Sequence, residues 1–386
     1  IFVSGNLDEA YYFAQETDEV DIDADIFHEM SKKLTVLDIK HALKKRFKPE
    51  QIARFGNVHI LYPSLSKKSY QLIIERKIDE VYKRVYNSFG MTVQVDDSVK
   101  KLIYDNGVFP TQGTRPVFST ISEIIENPLP KFLLQAFLKG QTKIDVSYDK
   151  GYIYSVVGNK TIKHRYEGTL DKIKNDKNKD TNRRALVSVH EAGHAVVYAI
   201  LTHYVPSQLV ATPASHKVEG FVFTHASCGA KTVLKSRIAI SLAGLMAEKL
   251  VFGKENSTWG SSSDIQSATK VAAKMVRTAA MEQFHSHIVN EESNSADWSN
   301  NDTKSTNTVI DLLVKNGMDK AQVILSENME LFIDVIDSFM LSDRIDPKDF
   351  LVMCKKRGVE VEIKQSEEEL YLDYHNQYNN FKKKQK

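Results

Sequence analysis

Arg183–His203 reads Arg-Arg-Ala-Leu-Val-Ser-Val-His-Glu-Ala-Gly-His-Ala-Val-Val-Tyr-Ala-Ile-Leu-Thr-His, with His190-Glu191-Ala192-Gly193-His194 at its centre. The segment is mostly apolar after Arg184 and holds no proline, which predicts a helix buried over most of its surface. His190 and His194, at i and i+4, stand one above the other on one helical face. Their ring nitrogens can therefore meet a single Zn²⁺, with Glu191 placed to act as general base on a water at the ion. Gly193 costs about 1 kcal/mol of helix propensity against alanine, and its missing side chain lets another element approach closely. Two histidines and a water leave tetrahedral zinc one ligand short, so a third protein ligand is expected elsewhere.

Upstream, residues 168–182 are polar and charged and read as a linker. Residues 1–63 show strand–helix–strand order: Ile1-Phe2-Val3, a helical pattern around Val36–Arg46, and Val58–Tyr62 ending at Pro63. This suits the end of an α/β domain with a parallel sheet. Residues 64–167 form a separate α+β unit. It comprises a long amphipathic helix over Ser66–Ser88, a strand over Met91–Val95, a helix over Asp96–Asn106 capped by Asp96 or Asp97, and a helix from Gly113-Thr114-Arg115-Pro116 through Leu138. A hairpin turning at Asp149-Lys150-Gly151 closes it.

Downstream, residues 183–360 are mainly helical. A β patch over Leu209–Ala211 and Gly220–Thr224 precedes a helix over Thr232–Phe252 stopped by Gly253. Serines 261–263 are good caps for the next helix, which puts Asp264 in its first turn. Residues 286–307 read as a surface loop, and helices follow over 308–338 and 346–355. Residues 361–386 are a charged tail, expected to be solvated.

The 386 residues suffice for two or three domains, and 42% hydrophobic composition supports sizeable cores. Lysine plus arginine number 52 against 50 acids, a net charge of +2, which gives no electrostatic case for nucleic acid. Cys228 and Cys354 are far apart and lack metal-type spacing, so zinc must be held by histidine and carboxylate, in a reducing compartment. No signal peptide or apolar run of membrane-spanning length is apparent. The chain opens with Ile1 inside what reads as a strand and is taken as a fragment.

Asp264 is the candidate third ligand, since a carboxylate is an ordinary zinc ligand. The alternative role for Asp264 is stabilising its helix through the dipole. His203, His216, His225, Glu248, His285 and His287 are the other candidates. His203 lies nine residues beyond His194 on the same helix, too far to share its metal, and Glu248 is placed to hold a histidine from behind. Spacing alone does not choose among them.

Three blocks within 181–357 resemble the peptidase domain of the FtsH family of ATP-dependent zinc proteases: His190–Ala195, Leu242-Ala243-Gly244-Leu245-Met246-Ala247-Glu248-Lys249-Leu250-Val251-Phe252-Gly253, and Gly260–Thr269 followed by Met275-Val276-Arg277. The resemblance implies Asp264 as third zinc ligand, and an edge strand at Gly220, Phe221 and Val222 that holds extended substrate. Leu245-Met246 departs from the family's usual Arg-Ala. The first 140 residues are instead similar to the C-terminal part of a Clp/ClpB-type AAA+ module. That likeness implies a sensor role for Asn6, an arginine finger at Arg54 within Phe47-Lys48-Pro49-Glu50-Gln51-Ile52-Ala53-Arg54, and a second sensor at Arg115. FtsH-family lids do not usually carry that last arginine. No Gly-x-x-x-x-Gly-Lys-Ser/Thr occurs, so the phosphate loop is expected upstream of Ile1.

Together these imply a C-terminal fragment of an ATP-dependent zinc metalloendopeptidase: the end of an α/β AAA+ core, an α+β lid and a mainly α-helical peptidase. Zn²⁺, and ATP with Mg²⁺ for the complete module, are the implied cofactors. Proteins unfolded by a ring, expected to be a hexamer, are the implied substrates. The chain would be cytoplasmic, or on the cytoplasmic face of a membrane if an anchor precedes it. The rivals are a non-proteolytic AAA+ remodelling factor with a degenerate peptidase-like domain, and a structural zinc domain.

Overall fold

The computed structural model describes residues 22–54, 59–168, 180–213, 220–225, 227–282, 304–364 and 372–384. These fall into two compact units, 22–168 and 180–384.

The first unit opens with α1 (Ala24–Lys32), α2 (Val36–Lys44) and α3 (Pro49–Arg54). The expected strand at Ile1–Val3 lies outside the described residues. At 59–62 the chain forms no strand; Ile60 and Tyr62 are largely exposed. An apolar run becomes a strand only when a neighbour takes its backbone hydrogen bonds, and none lies beside it among the described residues.

α4 (Lys67–Phe89) is the spine of this unit. Ser66 caps it by accepting from Ser69 N–H, and Gly90 ends it in the left-handed region at φ 63°. Its buried stripe, Tyr70, Ile74, Ile78, Val81 and Val85, repeats every three or four residues. β1 (Thr92–Val95) alternates exposed and buried, and Asp96 caps α5 (Asp97–Gly107). The single helix expected through Leu138 is instead α6 (Arg115–Ile121), a π-turn over Ser122–Glu126, and α7 (Leu129–Leu138) after Pro128. β2 (Lys143–Asp149) pairs parallel to β1 and antiparallel to β3 (Tyr152–Val157). Lys150 and Gly151 both take positive φ, the hairpin geometry in which glycine is favoured. A further strand, β4 (Lys160–Arg165), extends the sheet to the order β1-β2-β3-β4. It buries only Ile162 and so carries almost no apolar alternation to read.

The second unit is built around α8 (Thr181–Thr202), the predicted metal helix, capped by Asp180 and ended by His203 in the left-handed region. The expected 232–252 helix breaks at Leu242 into α9 (Lys231–Ser241) and α10 (Ala243–Phe252). α10 lies against α8 through Gly193: a Cβ there would meet Ala247 Cβ at 2.6 Å and Ala243 O at 2.7 Å. α11 (Ser262–Arg277), α12 (Lys304–Glu327) and α13 (Met329–Leu341) complete the bundle, with Leu331, Phe332, Val335 and Phe339 of α13 in the core around α8. The loop expected over 286–307 lies largely outside the described residues.

A small sheet flanks α8. β5 (Gln208–Val210) sits between β6 (Phe221–Phe223) and the two-residue β7 (Arg344–Ile345), which leaves β6 as an edge strand. α14 (Pro347–Lys356) follows, and Glu362 bridges back to Tyr204, so the packed chain runs past 360. The charged tail contains an exposed helix, α15 (Tyr374–Lys384).

α8 is the one described helix long and apolar enough to cross a membrane by length and composition. Twelve of its residues are buried in the protein core.

Candidate metal centre

The i, i+4 spacing on α8 places His190 and His194 with ring centroids 4.8 Å apart. Each histidine is held from behind through Nδ1. His190 Nδ1–H donates to Glu248 Oε1 at 2.7 Å, and His194 Nδ1–H donates to the Ile240 carbonyl at 2.8 Å. Both rings therefore turn Nε2, the nitrogen each would offer a metal, to a common point. α11 brings Asp264 there: its Oδ2 lies 3.1 Å from His190 Nε2 and 3.5 Å from His194 Nε2, and the two Nε2 atoms are 3.1 Å apart. Ligands about 2.0–2.1 Å from a tetrahedral zinc lie about 3.3 Å from one another. The three donor atoms match that triangle. Among the described residues this is the one cluster of three such groups able to hold a metal.

Glu248 does more than back His190. It is 1% exposed, and its Oε2 accepts from Thr258 N–H at 2.8 Å and from Thr258 Oγ–H at 3.1 Å, while Oε1 also accepts from Ser261 Oγ–H at 3.1 Å. Ser261 occupies the N-cap of α11 but makes no side-chain cap bond. Its hydroxyl is spent on Glu248, so one carboxylate ties His190 to the turn that delivers Asp264. The sequence pointed to Glu248 as a histidine partner; the link to the 258–261 turn was not visible in it. The break at Leu242 serves the same end, because Gly244 passes so close under the His190 ring that a side chain there would collide with it.

Glu191 is buried beside the ligands. A Cβ on Gly220 would come within 2.7 Å of its Cγ and Oε1, so the carboxylate packs on bare backbone at the entry to β6. Burial pushes its pKa up, against the pull of His190 and His194. Burial also opposes charge on His190, but Asp264, Glu248 and Glu191 outweigh it and lift the imidazole to about 10. Asp264 is held well below the usual carboxylate range, its burial overcome by hydrogen bonds from both histidines.

The other candidate ligands stay away. His203 is the exposed C-cap of α8, and buried His225 contacts Ser207 and Tyr198. His216, His285, His287 and Asn6 lie outside the described residues. Arg54 ends α3 and Arg115 begins α6, both exposed in the first unit. Gly220, Phe221 and Val222 lead from beside Glu191 into the edge strand.

Residues 177–352 match the profile of peptidase family M41, and residues 65–146 that of the C-terminal, D2-small domain of ClpB protein. The chain is FtsH-like. Curated relatives include the ATP-dependent zinc metalloprotease FtsH of Cyanidium caldarium, 28% identical over 46% of this chain and 31% of the relative. The FtsH of Chloroflexus aggregans is 29% identical over 43% and 28% respectively, and FtsH 3 of Synechocystis 22% over 47% and 32%. The FtsH-like chain thus spans about a third of the length of these relatives.

Proposed function

We propose that the FtsH-like chain is part of an ATP-dependent zinc metalloendopeptidase, with His190, His194 and Asp264 as ligands and Glu191 as base. The observation that carries this reading is the triangle of Nε2, Nε2 and Oδ2 atoms with a buried carboxylate one residue from the first ligand. A zinc ion held there would supply Lewis acidity toward water and a peptide carbonyl. Glu191 takes the proton of the attacking water and returns it to the leaving amine. β6, an edge strand whose entry abuts Glu191, is placed to add an extended substrate as a further strand.

The remodelling rival is disfavoured by an intact ligand set and base. A closed structural site would need a fourth protein ligand, and the cluster offers three among the described residues. Nucleotide roles for Asn6, Arg54 and Arg115, and a hexameric ring acting on unfolded proteins, belong to the same proposal through the ClpB-like lid. So does a reducing compartment, in keeping with buried Cys228 and Cys354, neither of which forms a disulfide. The test is hydrolysis of denatured casein by the purified chain. Cleavage lost to a chelator and restored by Zn²⁺ is expected; cleavage indifferent to the chelator would overturn the reading.

A further inference from the structure

Trp259 is 92% exposed. It is the most exposed large hydrophobic side chain among the described residues, and it stands on a turn hydrogen-bonded to the candidate metal centre. Thr258, immediately before it, holds Glu248 Oε2 through both backbone and hydroxyl, and Ser261, two residues on, holds Glu248 Oε1. Gly260 N–H donates to Thr258 Oγ at 3.2 Å, and Ser262 Oγ–H donates to the Trp259 carbonyl. The backbone that carries the indole is thus ordered on both sides. Only the Glu248 carboxylate separates the Thr258 amide from the His190 ring, and Asp264 follows five residues later on α11.

We infer that Trp259 is a substrate-binding platform that selects aromatic and long aliphatic side chains near the cleaved bond, an inference resting on the proteolytic reading above. Consecutive Cα atoms are about 3.8 Å apart and an extended peptide advances about 3.4 Å per residue. Two or three residues of extended substrate span about 7–10 Å, the stretch over which the indole would meet a side chain beside the scissile bond. A ring presented on a fixed turn loses little conformational freedom on contact. Stacking or apolar packing on its face favours Phe, Tyr, Trp or Leu over Gly or Asp at that position.

The test uses the full chain loaded with zinc and internally quenched peptides that differ only in carrying Phe, Leu, Gly or Asp near the cleaved bond, with the bond located by mass spectrometry. Wild type is expected to prefer Phe over Gly by about 10-fold in kcat/KM, chiefly through KM, with the ratio falling to near 1 in W259A and partly restored in W259F. Binding is read independently in E191Q/W298F, where Trp259 is the remaining tryptophan: the Phe peptide should shift its emission to the blue and the Gly peptide should not. If wild type cleaves but W259A keeps the same Phe-to-Gly ratio, the platform is refuted. It is equally refuted if no peptide shifts the emission, or if W259A alters sedimentation while preserving the ratio, which would make Trp259 a subunit contact. If the Phe peptide shifts the emission yet wild type cleaves nothing, the proteolytic reading fails and the platform stands.

Discussion

At the proposed zinc site Glu248 and Asp264 would make separable contributions: Asp264 as a donor atom, and Glu248 through its hydrogen bonds to His190 and to the 258–261 turn. D264A is expected to lose most bound zinc while far-UV circular dichroism stays unchanged; E248Q should keep the site but weaken it by about 10–100-fold, the usual cost of losing such a backing group. Zinc titration against a chromophoric chelator orders the two, and E248Q weaker than D264A would reverse the assignment of ligand and support. The facing pair His190 and His194 was legible because the helical period fixes which residues share a face, whereas Asp264 was singled out only by the family resemblance. Glu248 was legible only as a partner for a histidine, because its bonds to Thr258 and Ser261 depend on how α10 and α11 meet in space. Trp259 carried no period at all, and its exposure is a property of the folded turn.

Among elements, contact between α8 and α10 decides whether the site can form. Gly193 was read as a place of close approach, and the approach is by Ala243 and Ala247 of α10. G193A adds a methyl where those atoms already stand and should destabilise the second unit by about 1–3 kcal/mol through overpacking, despite alanine's better helix propensity. A thermal midpoint equal to or above wild type would contradict this. A second device joins α13 to the end of α14, where Arg357 donates from Nε and Nη2 to both oxygens of Asp334. The Arg357 hydrogen bond holds the Asp334 carboxyl below its ordinary 3.8. A depressed carboxylate pKa gives stability that is present above the unfolded value and lost as pH falls through the folded one. D334N should therefore melt earlier than wild type at pH 7, and the gap should close as pH is taken below about 3.8; a gap that persists in acid would assign the effect to packing. Elements with strong periods, α4 and α8 above all, were readable at their ends as well as their middles. The break at Leu242, the short β7 and the mostly exposed β4 were not. Each is set by a tertiary partner, and the run at 59–62 shows the converse, an apolar stretch without one.

At the scale of the molecule, a stretch that matches the ClpB D2-small profile and one that matches the profile of peptidase family M41 share one chain that covers about a third of its FtsH relatives. In the complete ring, R54A should lower ATP hydrolysis by about 10³-fold or more with nucleotide affinity much less affected, because an arginine finger stabilises charge that develops only in the transition state; unchanged turnover in assembled rings would remove Arg54 from that role. Peptide cleavage depends on different residues and is expected without ATP. The most direct measurement is cleavage of denatured casein by wild type and E191Q at equal zinc occupancy. Glutamine keeps the shape of Glu191 and leaves His190, His194 and Asp264 intact, but its amide cannot accept the proton of the attacking water. Wild type should cleave and E191Q should not, both holding about one zinc per chain. Equal cleavage by the two would contradict Glu191 as the base and the metallopeptidase mechanism with it.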